Sequence, residues 1–222
     1  MKRLTLAGAG LALAVMTLGA VRLGGWAVVT VEKIGDYLVV GKPTQLTFAV
    51  RQHGVTLMTD LSPTVVAKSG RREVTARAER LSTGGYRAEL TVPEPGEWRI
   101  SINSGFLKSR GELLPTRAIA STESALAPLP DRERGRMLFA AKGCVTCHVH
   151  ADVDIRGEVA DDGPDLSSKR FAAEYLAQFL ADPSIKPQDA KSTARMPNLA
   201  LKQADIAYLV AFINAERKTA TR

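Results

Sequence analysis

The chain contains only two cysteines, and they lie three residues apart in the run Cys144-Val-Thr-Cys-His148. Two thiols at this spacing, followed at once by an imidazole, match the attachment signal for c-type haem. Each thiol would form a thioether with one vinyl group of the porphyrin, and the histidine would bind the iron. The motif therefore predicts one covalent haem c, with Cys144 and Cys147 as tethers and His148 as the proximal ligand.

Three other kinds of site use closely spaced cysteines. A thioredoxin-type dithiol expects a strand before the motif, whereas residues 134–142 have helical character and end at Gly143. A zinc site needs four ligands, and only His150 could join Cys144, Cys147 and His148, at a tighter spacing than paired zinc ligands use. A disulfide between the two cysteines would close a very short loop and stabilise little. The pattern favours haem over all three.

Length and charge limit the other possibilities. With 222 residues, the chain is long enough for two modest domains. Its net charge of +7 is spread along the chain, with +3 in residues 1–25, +3 in residues 26–126 and +1 in residues 127–222. A nucleic-acid-binding protein would concentrate basic residues on one face or tail, so we expect no nucleic-acid partner.

The first 25 residues resemble an export segment. Lys2 and Arg3 precede an uncharged apolar run from Leu4 to Val21, which is longer than a usual signal-peptide core and close to the minimum for a spanning helix. Residues 1–25 are therefore predicted to be a signal peptide or a retained membrane anchor. In both cases the rest of the chain is expected on the periplasmic side of a bacterial membrane.

Residues 26–115 have the pattern of an antiparallel β-sandwich. Short β-branched or alternating runs are separated by turn residues such as Pro43, Pro63 and Gly70. In residues 86–92, Tyr86, Ala88, Leu90 and Val92 would share one buried face of a strand. The predicted strands are 26–32, 44–51, 64–67, 73–79, 85–92 and 96–102.

Several short segments of this half carry a family resemblance. They are residues 41–50, 63–67, 85–90 and 96–100, and they include the runs Gly85-Tyr86 and Gly96-Glu-Trp98. On these segments, residues 27–114 resemble the YtkA-like immunoglobulin-type domain of bacterial envelope proteins. The resemblance implies an immunoglobulin-like sandwich and no enzymatic chemistry.

His53 is the one residue of the β half with metal-binding potential. A loop imidazole can bind copper, but only Met58 is near as a second ligand. The favoured interpretation is therefore a histidine that forms a turn hydrogen bond or touches a neighbouring domain. Trp26 and Trp98 are interpreted as core or interface aromatics.

The last part of the chain is predicted to be helical. Residues 116–130, rich in small residues and containing Pro128 and Pro130, are predicted to be a linker. Within residues 131–222, helical periodicity predicts a first helix capped by Asp131 and further helices over 172–181 and 202–214. A haem would supply much of the core of so small a domain.

Motifs around the cysteines extend the likeness to a whole domain. They are Gly135 and Phe139 before the motif, then residues 163–166 (Gly-Pro-Asp-Leu), Asp182-Pro183, and residues 195–198 (Arg-Met-Pro-Asn) before the final helix. Together with residues 144–148, they make residues 131–216 resemble a monohaem class I cytochrome c, so we expect an all-α haem domain. The resemblance also implies that the Pro164 carbonyl accepts the Nδ1 proton of His148 and orients that ring.

The iron needs a sixth ligand on its distal side. Met196 is the predicted ligand, because it lies in an irregular segment after the second helix and a thioether raises the reduction potential. Met137 lies in the first predicted helix and fits the core, and His150 is too close to His148 to reach the opposite face easily. Arg195, Tyr175 and Tyr208 are equally compatible with contacts to haem propionates and with packing or surface positions.

With both axial positions filled by protein, we expect electron transfer and no enzymatic activity. The expected partners are a donor and an acceptor redox protein. An alternative is an accessory or assembly subunit of a larger respiratory or photosynthetic membrane complex, docked through the β half. A peroxidase is a third possibility, and it would need Met196 to be displaced from the iron.

Overall fold

The computed structural model describes residues 25–120, 122, 126–160, 162–185 and 195–216. Within these ranges, a β-rich half precedes a helical half. The strands are β1 Ala27–Val31, β2 Leu38–Val39, β3 Thr44–Gln52, β4 Thr56–Leu57, β5 Thr64–Ser69, β6 Arg72–Arg77, β7 Glu79–Arg80, β8 Tyr86–Leu90, β9 Gly96–Asn103, β10 Arg110–Glu112 and β11 Thr116–Ile119. The helices are α1 Asp131–Ala141, α2 Ala173–Ala181 and α3 Gln203–Ile213.

The strands form two sheets. The first has the order β1-β3-β8-β7, with β4 paired to β3. The second has the order β2-β11-β9-β5-β6, with β10 paired to β9. Every pairing is antiparallel except that of β11 with β2, which is parallel. Residues of both sheets contribute to one apolar core cluster, so the two sheets share a core.

The alternation predicted for residues 86–92 is confirmed. Tyr86, Ala88, Leu90 and Val92 are all buried, while the residues between them are exposed. The Tyr86 hydroxyl donates to the Met58 carbonyl and accepts from the Leu61 N–H, so this buried phenol is satisfied.

The linker prediction differs from the structure at its start. Residues 116–119 form β11, which pairs with β9 through Thr116, Arg117 and Ala118. Ala118 and Ile119 are buried, so these small apolar residues belong to the sheet. Four residues are too few to show a strand period, which explains why composition alone indicated a linker. Strands β2, β4 and β10, of two or three residues each, were missed for the same reason, and the predicted strand 73–79 joins β6 to the first residue of β7.

The three predicted helices are present, with small differences at their ends. Helix α1 begins at Asp131, and Pro130 takes the N-cap position without a side-chain cap, so the prediction that Asp131 caps the helix is wrong. Its carboxylate still lies in the first turn, where it complements the helix dipole. Helices α2 and α3 each begin one residue later than predicted.

Helices α1 and α3 cross in close contact at a glycine. A β-carbon at Gly135 would lie only 2.0 Å from the Tyr208 carbonyl oxygen. The rings of Phe139 and Phe212 meet edge to face, with centroids 5.6 Å apart. This crossing holds the end of α1, and with it the start of the cysteine motif, against the rest of the helical half.

Strand β1 is buried on both of its faces. Ala27, Val29 and Val31 belong to the core cluster shared by the sheets. Val28 and Thr30 are also buried but lie outside that cluster, and the Thr30 hydroxyl is 3.5 Å from the Lys142 carbonyl. The helical half therefore covers the outer face of β1.

The predicted signal or anchor segment falls almost wholly on residues 1–24, which lie outside the described residues. Among the residues that are described, no helix is long and apolar enough to cross a membrane.

Candidate functional site

The cysteine motif forms a compact turn directly after α1. Residues Cys144–Thr146 make one turn of 3-10 helix, and the His148 N–H donates to the Cys144 carbonyl over 2.9 Å. The turn begins at Gly143, whose φ of +79° is a left-handed conformation that favours glycine. Two thiols and one imidazole thus lie on a single hydrogen-bonded turn.

The chain that follows wraps closely around this turn. The Gly157 N–H donates to the Val145 carbonyl, and a β-carbon at Gly157 would lie 2.2 Å from that oxygen. The Gly163 N–H donates to the Cys147 carbonyl over 2.8 Å. Only glycine allows an approach this close. Sequence reasoning missed Gly157, because a lone glycine in an irregular segment carries no signal of its contact.

The two thiols do not have the properties of a redox dithiol. Burial raises the pKa of the Cys144 thiol to about 12 and that of the Cys147 thiol to about 11. The negative charge of Asp162 also raises the pKa of Cys147. A thioredoxin-type nucleophile needs a lowered pKa, since the thiolate is the reactive form. Both cysteines are free, so no disulfide joins them. The structure thus favours neither the dithiol nor the disulfide interpretation.

His148 is oriented by a backbone carbonyl. Its Nδ1 lies 3.0 Å from the Pro164 oxygen, and because a carbonyl only accepts, Nδ1 must donate. Burial lowers the pKa of His148, while the bond to Pro164 acts in the opposite direction. A neutral ring with its proton on Nδ1 leaves the Nε2 lone pair for a metal. The role predicted for Pro164 requires this contact.

Gly163 sets the distance between that carbonyl segment and the imidazole. A β-carbon at this position would lie 2.5 Å from both Nδ1 and Cε1 of His148, and 2.8 Å from the Cys147 oxygen. The ring is therefore held between its own turn and residues 163–164.

His150 does not take part in this arrangement. It is buried, and its ring packs against Phe139 and Phe212 with centroids 5.9 Å and 4.3 Å away. Its Nδ1 accepts the Asp152 N–H. His150 is thus a core residue between α1 and α3, and the described residues hold no group of three or more His, Cys, Asp or Glu side chains suited to a metal. A zinc site finds no support here.

Met196 lies on the apolar cluster that contains Cys144. It is half-buried and packs against this cluster, which also includes Val145, Leu176 and Leu209. Residues 191–194 of the irregular segment before it lie outside the described residues. Met137 is buried on α1, as a core residue would be. Ligation of iron by Met196 stays a prediction.

The other side chains considered for haem contacts have local partners or lie at the surface. The Arg134 guanidinium lies over the Tyr208 ring, 5.2 Å from its centroid. Tyr175 is exposed and stacks on Phe179, with centroids 6.1 Å apart. Arg195 is exposed. For Tyr208 this geometry matches the packing interpretation.

His53 lies at the turn between β3 and β4 and contacts aromatic and backbone groups. It has a φ of +51°, and its ring meets Trp26 edge to face with centroids 5.5 Å apart. The Met58 side chain packs on the core of the sheets. The His53 N–H also donates to the Trp26 carbonyl, so the contacts of His53 are with Trp26 of the same half, and those of Met58 give no support to copper binding.

The donor set fits a covalently bound haem. Cys144, Cys147 and His148 share one turn, the imidazole is oriented with Nε2 available, and a thioether lies on the same apolar cluster. Buried apolar surroundings of this kind suit a porphyrin, whose flat face is itself apolar.

Comparison with solved structures finds chains that are similar at low sequence identity. One is a proposed glycoside hydrolase from Bacteroides vulgatus, with 18% identity, a TM-score of 0.32, and coverage of 40% of this chain and 17% of that chain. Another comprises domains 4 and 5 of the S-layer protein SbsC, with 14% identity, a TM-score of 0.29, and coverage of 42% of this chain and 45% of that chain. A third is the PKD domain of the human receptor SorCS2, with 14% identity, a TM-score of 0.28, and coverage of 56% of this chain and 99% of that chain. The chain spans less than half the length of the first two. Scores of this size do not establish an immunoglobulin-like topology for the β half.

Comparison with protein families covers the helical half. No curated protein matches the sequence significantly. The family model described as Cytochrome c matches residues 132–215, which include the attachment turn, Pro164 and Met196. Residues 132–215 therefore form a cytochrome c domain, which implies a covalently bound c-type haem and haem-based electron transfer, and this domain follows a β-rich N-terminal half.

Proposed function

We propose that the chain is a one-electron carrier whose haem iron is bound by His148 on one side and Met196 on the other. The observation that carries this proposal is the packing of Met196 on the apolar cluster that contains Cys144. The tethers and the thioether would therefore lie against the same porphyrin. A c-type haem bound there supplies an Fe(III)/Fe(II) couple that accepts one electron from a donor protein and passes it to an acceptor protein.

The residues around the iron each have a separate task. His148 would bind the iron through Nε2, and Pro164 holds the ring by accepting its Nδ1 proton. Met196 would close the sixth position, and its thioether favours the ferrous state, which raises the reduction potential. With both positions occupied by side chains, no iron position would remain for a substrate, and electron transfer would need no bond to the partner protein.

Absorption spectroscopy of the oxidised holoprotein tests the Met196 assignment. We expect a weak band near the red end of the visible spectrum, which Met196→His abolishes while lowering the reduction potential. Met137→Leu is the matched control, because Met137 is buried on α1 and its replacement should leave the band intact. Absence of the band from the wild type, or its survival in Met196→His, would contradict the proposal.

Ligand titration separates the carrier from a haem enzyme. A site closed by His148 and Met196 should bind cyanide or carbon monoxide slowly or not at all. Rapid, tight binding would favour a peroxidase, since that activity requires an open iron position.

We also propose that the protein works on the periplasmic side of a bacterial membrane. The charged start and apolar run of residues 1–25 support this location. Cell fractionation, with sequencing of the amino terminus of the purified holoprotein, tests it. Recovery in the periplasm with a shortened amino terminus supports a cleaved signal, and recovery in the membrane with Lys2 and Arg3 retained supports an anchor. Holoprotein found in the cytoplasm would contradict the proposal.

A further inference from the structure

The two segments predicted to carry the iron ligands both contact the β half. On the proximal side, a β-carbon at Gly143 would lie 2.5 Å from Val28 Cγ1 and 2.8 Å from the Val29 carbonyl oxygen. On the distal side, a β-carbon at Gly54 would lie 2.4 Å from Pro197 Cγ. Gly143 directly precedes Cys144, and Pro197 directly follows Met196.

The proximal contact is strengthened by a buried lysine. Lys142 is only 2% exposed, its Nζ donates to the Glu32 carbonyl over 2.8 Å, and the same atom lies 2.7 Å from Asp205 Oδ2. The contact to Asp205 is an ion pair rather than an aligned hydrogen bond. Lys142 thus connects β1, the attachment turn and α3 at one point, which leaves the turn little freedom to move relative to the β half.

The distal contact is made by the turn between β3 and β4. Gly54 is buried and has a φ of +73°, and its N–H donates to the Arg51 carbonyl, so the turn is closed by its own backbone. Beyond Pro197, the Asn198 side chain donates to the Ala181 carbonyl over 3.3 Å. Residues 197–198 are therefore held between Gly54 on the β half and the end of α2.

Val28 lies between the two contacts. One of its methyl carbons is near Gly143, and the other would be 3.5 Å from a β-carbon at Gly54. The side chain is 1% exposed and is not part of the core shared by the sheets. The spacing between proximal and distal segments thus depends on a side chain of β1.

We propose that the β half is a structural part of the redox site, in which Gly54 is a positioning residue that holds Pro197 and thereby sets the approach of Met196 to the iron. This inference rests on the proposed ligation by Met196. It assigns the β half a role in ligation of the haem iron, in addition to any role in partner binding. A thioether is a weak iron ligand, so displacement of its segment should weaken the bond before it unfolds the domain.

Replacement of Gly54 tests the proposal, with Gly41 as a matched control. Both glycines belong to the β half and have a φ of +73°, but among the described residues, chain neighbours aside, no atom lies within 4 Å of a β-carbon at Gly41. Gly54→Ala and Gly41→Ala therefore impose similar backbone strain, and only the first pushes on Pro197. We expect Gly54→Ala to weaken the red absorption band of the oxidised holoprotein. It should also lower the potential by about 59 mV or more, which is a tenfold change in a one-electron equilibrium.

A double-mutant cycle tests whether the effect passes through Pro197. Pro197→Ala removes the ring carbon that a β-carbon at position 54 would meet first. We expect Gly54→Ala to shift the potential less in the Pro197→Ala background than in the wild type. An equal shift in both backgrounds would overturn the proposal, and so would equal spectra and potentials for Gly54→Ala and Gly41→Ala.

The outcomes also separate this inference from the proposed function. Absence of the band from the wild-type protein would contradict both the proposed function and the role of Gly54, because Met196 would not be the ligand. A wild-type band that Gly54→Ala leaves unchanged would remove only the role of Gly54. Thermal unfolding of each variant measures its general destabilisation, which we expect to be larger for Gly54→Ala because its β-carbon also overlaps Pro197. The spectra and potentials are therefore compared at a temperature where both variants are fully folded.

Discussion

At the scale of single residues, glycines determine how closely other segments approach the haem ligands. Gly143 lets the attachment turn lie on β1, and Gly163 lets residues 163–164 lie on the His148 ring. In both cases the close neighbours include a backbone carbonyl, which cannot move aside as a flexible side chain can. A methyl group at these positions therefore displaces backbone.

We expect Gly163→Ala to destabilise the holoprotein by about 1–3 kcal/mol, the usual range for overpacking. Its β-carbon would overlap the His148 ring and the Cys147 oxygen, so the contact of Nδ1 with Pro164 should lengthen. Denaturant unfolding measures the change. Gly35→Ala is the control, because in the part of the chain that the structure describes its β-carbon would meet the Tyr37 oxygen alone, at 3.3 Å. Equal stability of the two variants would contradict the prediction.

At the scale of elements, the crossing of α1 and α3 holds the end of α1 against the helical half. Its closeness depends on Gly135, where a β-carbon would lie 2.0 Å from the Tyr208 oxygen and 2.7 Å from Phe212 Cβ. Glycine is a poor helix former, about 1 kcal/mol worse than alanine. Its presence in α1 shows that helix packing outweighs intrinsic propensity at this position.

Helix propensity and steric overlap predict opposite changes in stability for Gly135→Ala. Propensity alone would stabilise the protein by about 1 kcal/mol, whereas overpacking costs about 1–3 kcal/mol or more. With 2.0 Å to a backbone oxygen, we expect the steric cost to dominate and the net change to be destabilising by about 1 kcal/mol or more. Thermal unfolding of the holoprotein gives the sign, and a raised melting temperature would show that the crossing can relax.

At the scale of the whole molecule, the two halves share a buried interface. Ala141 of α1 belongs to the core cluster of the sheets, and Leu114 of the β half belongs to the cluster of the helical half. Asp36 accepts from both the Leu129 N–H and the Arg134 guanidinium. Strand β1, at the edge of the first sheet, therefore lies between the core shared by the sheets and the helical half.

Lys142→Met tests how strongly this interface contributes to stability. Removal of one partner from a buried ion pair leaves the other charge uncompensated, which costs about 3–5 kcal/mol. The Lys142 side chain is 3% exposed and that of Asp205 18% exposed, so we expect a loss near the lower end of that range. Lys68→Met is the control, since Lys68 and Glu73 form an exposed pair whose loss should cost about 1 kcal/mol or less. Equal losses in denaturant unfolding would contradict the buried role.

Much of the fold was predictable where the pattern is local. The period of two in residues 86–92 and the helical period in residues 203–213 both appear as elements in the structure. Strand β11 was not predictable, because four residues show no period and its pairing with β2 joins residues about 80 positions apart. Burial of β1 on both faces was not predictable either, since Val28 and Thr30 are covered by chain more than 100 residues away.

For the candidate site too, one part was predictable from the local sequence pattern and another part depended on tertiary packing. Five consecutive residues determined the cofactor chemistry, because thioether attachment and the proximal ligand depend only on the reach of side chains within one turn. The tertiary structure decided that Val28 and Gly54 lie against the segments that carry the iron ligands. Packing between distant segments depends on how the two hydrophobic cores fit together. The spacing of residues along the chain therefore does not predict these contacts.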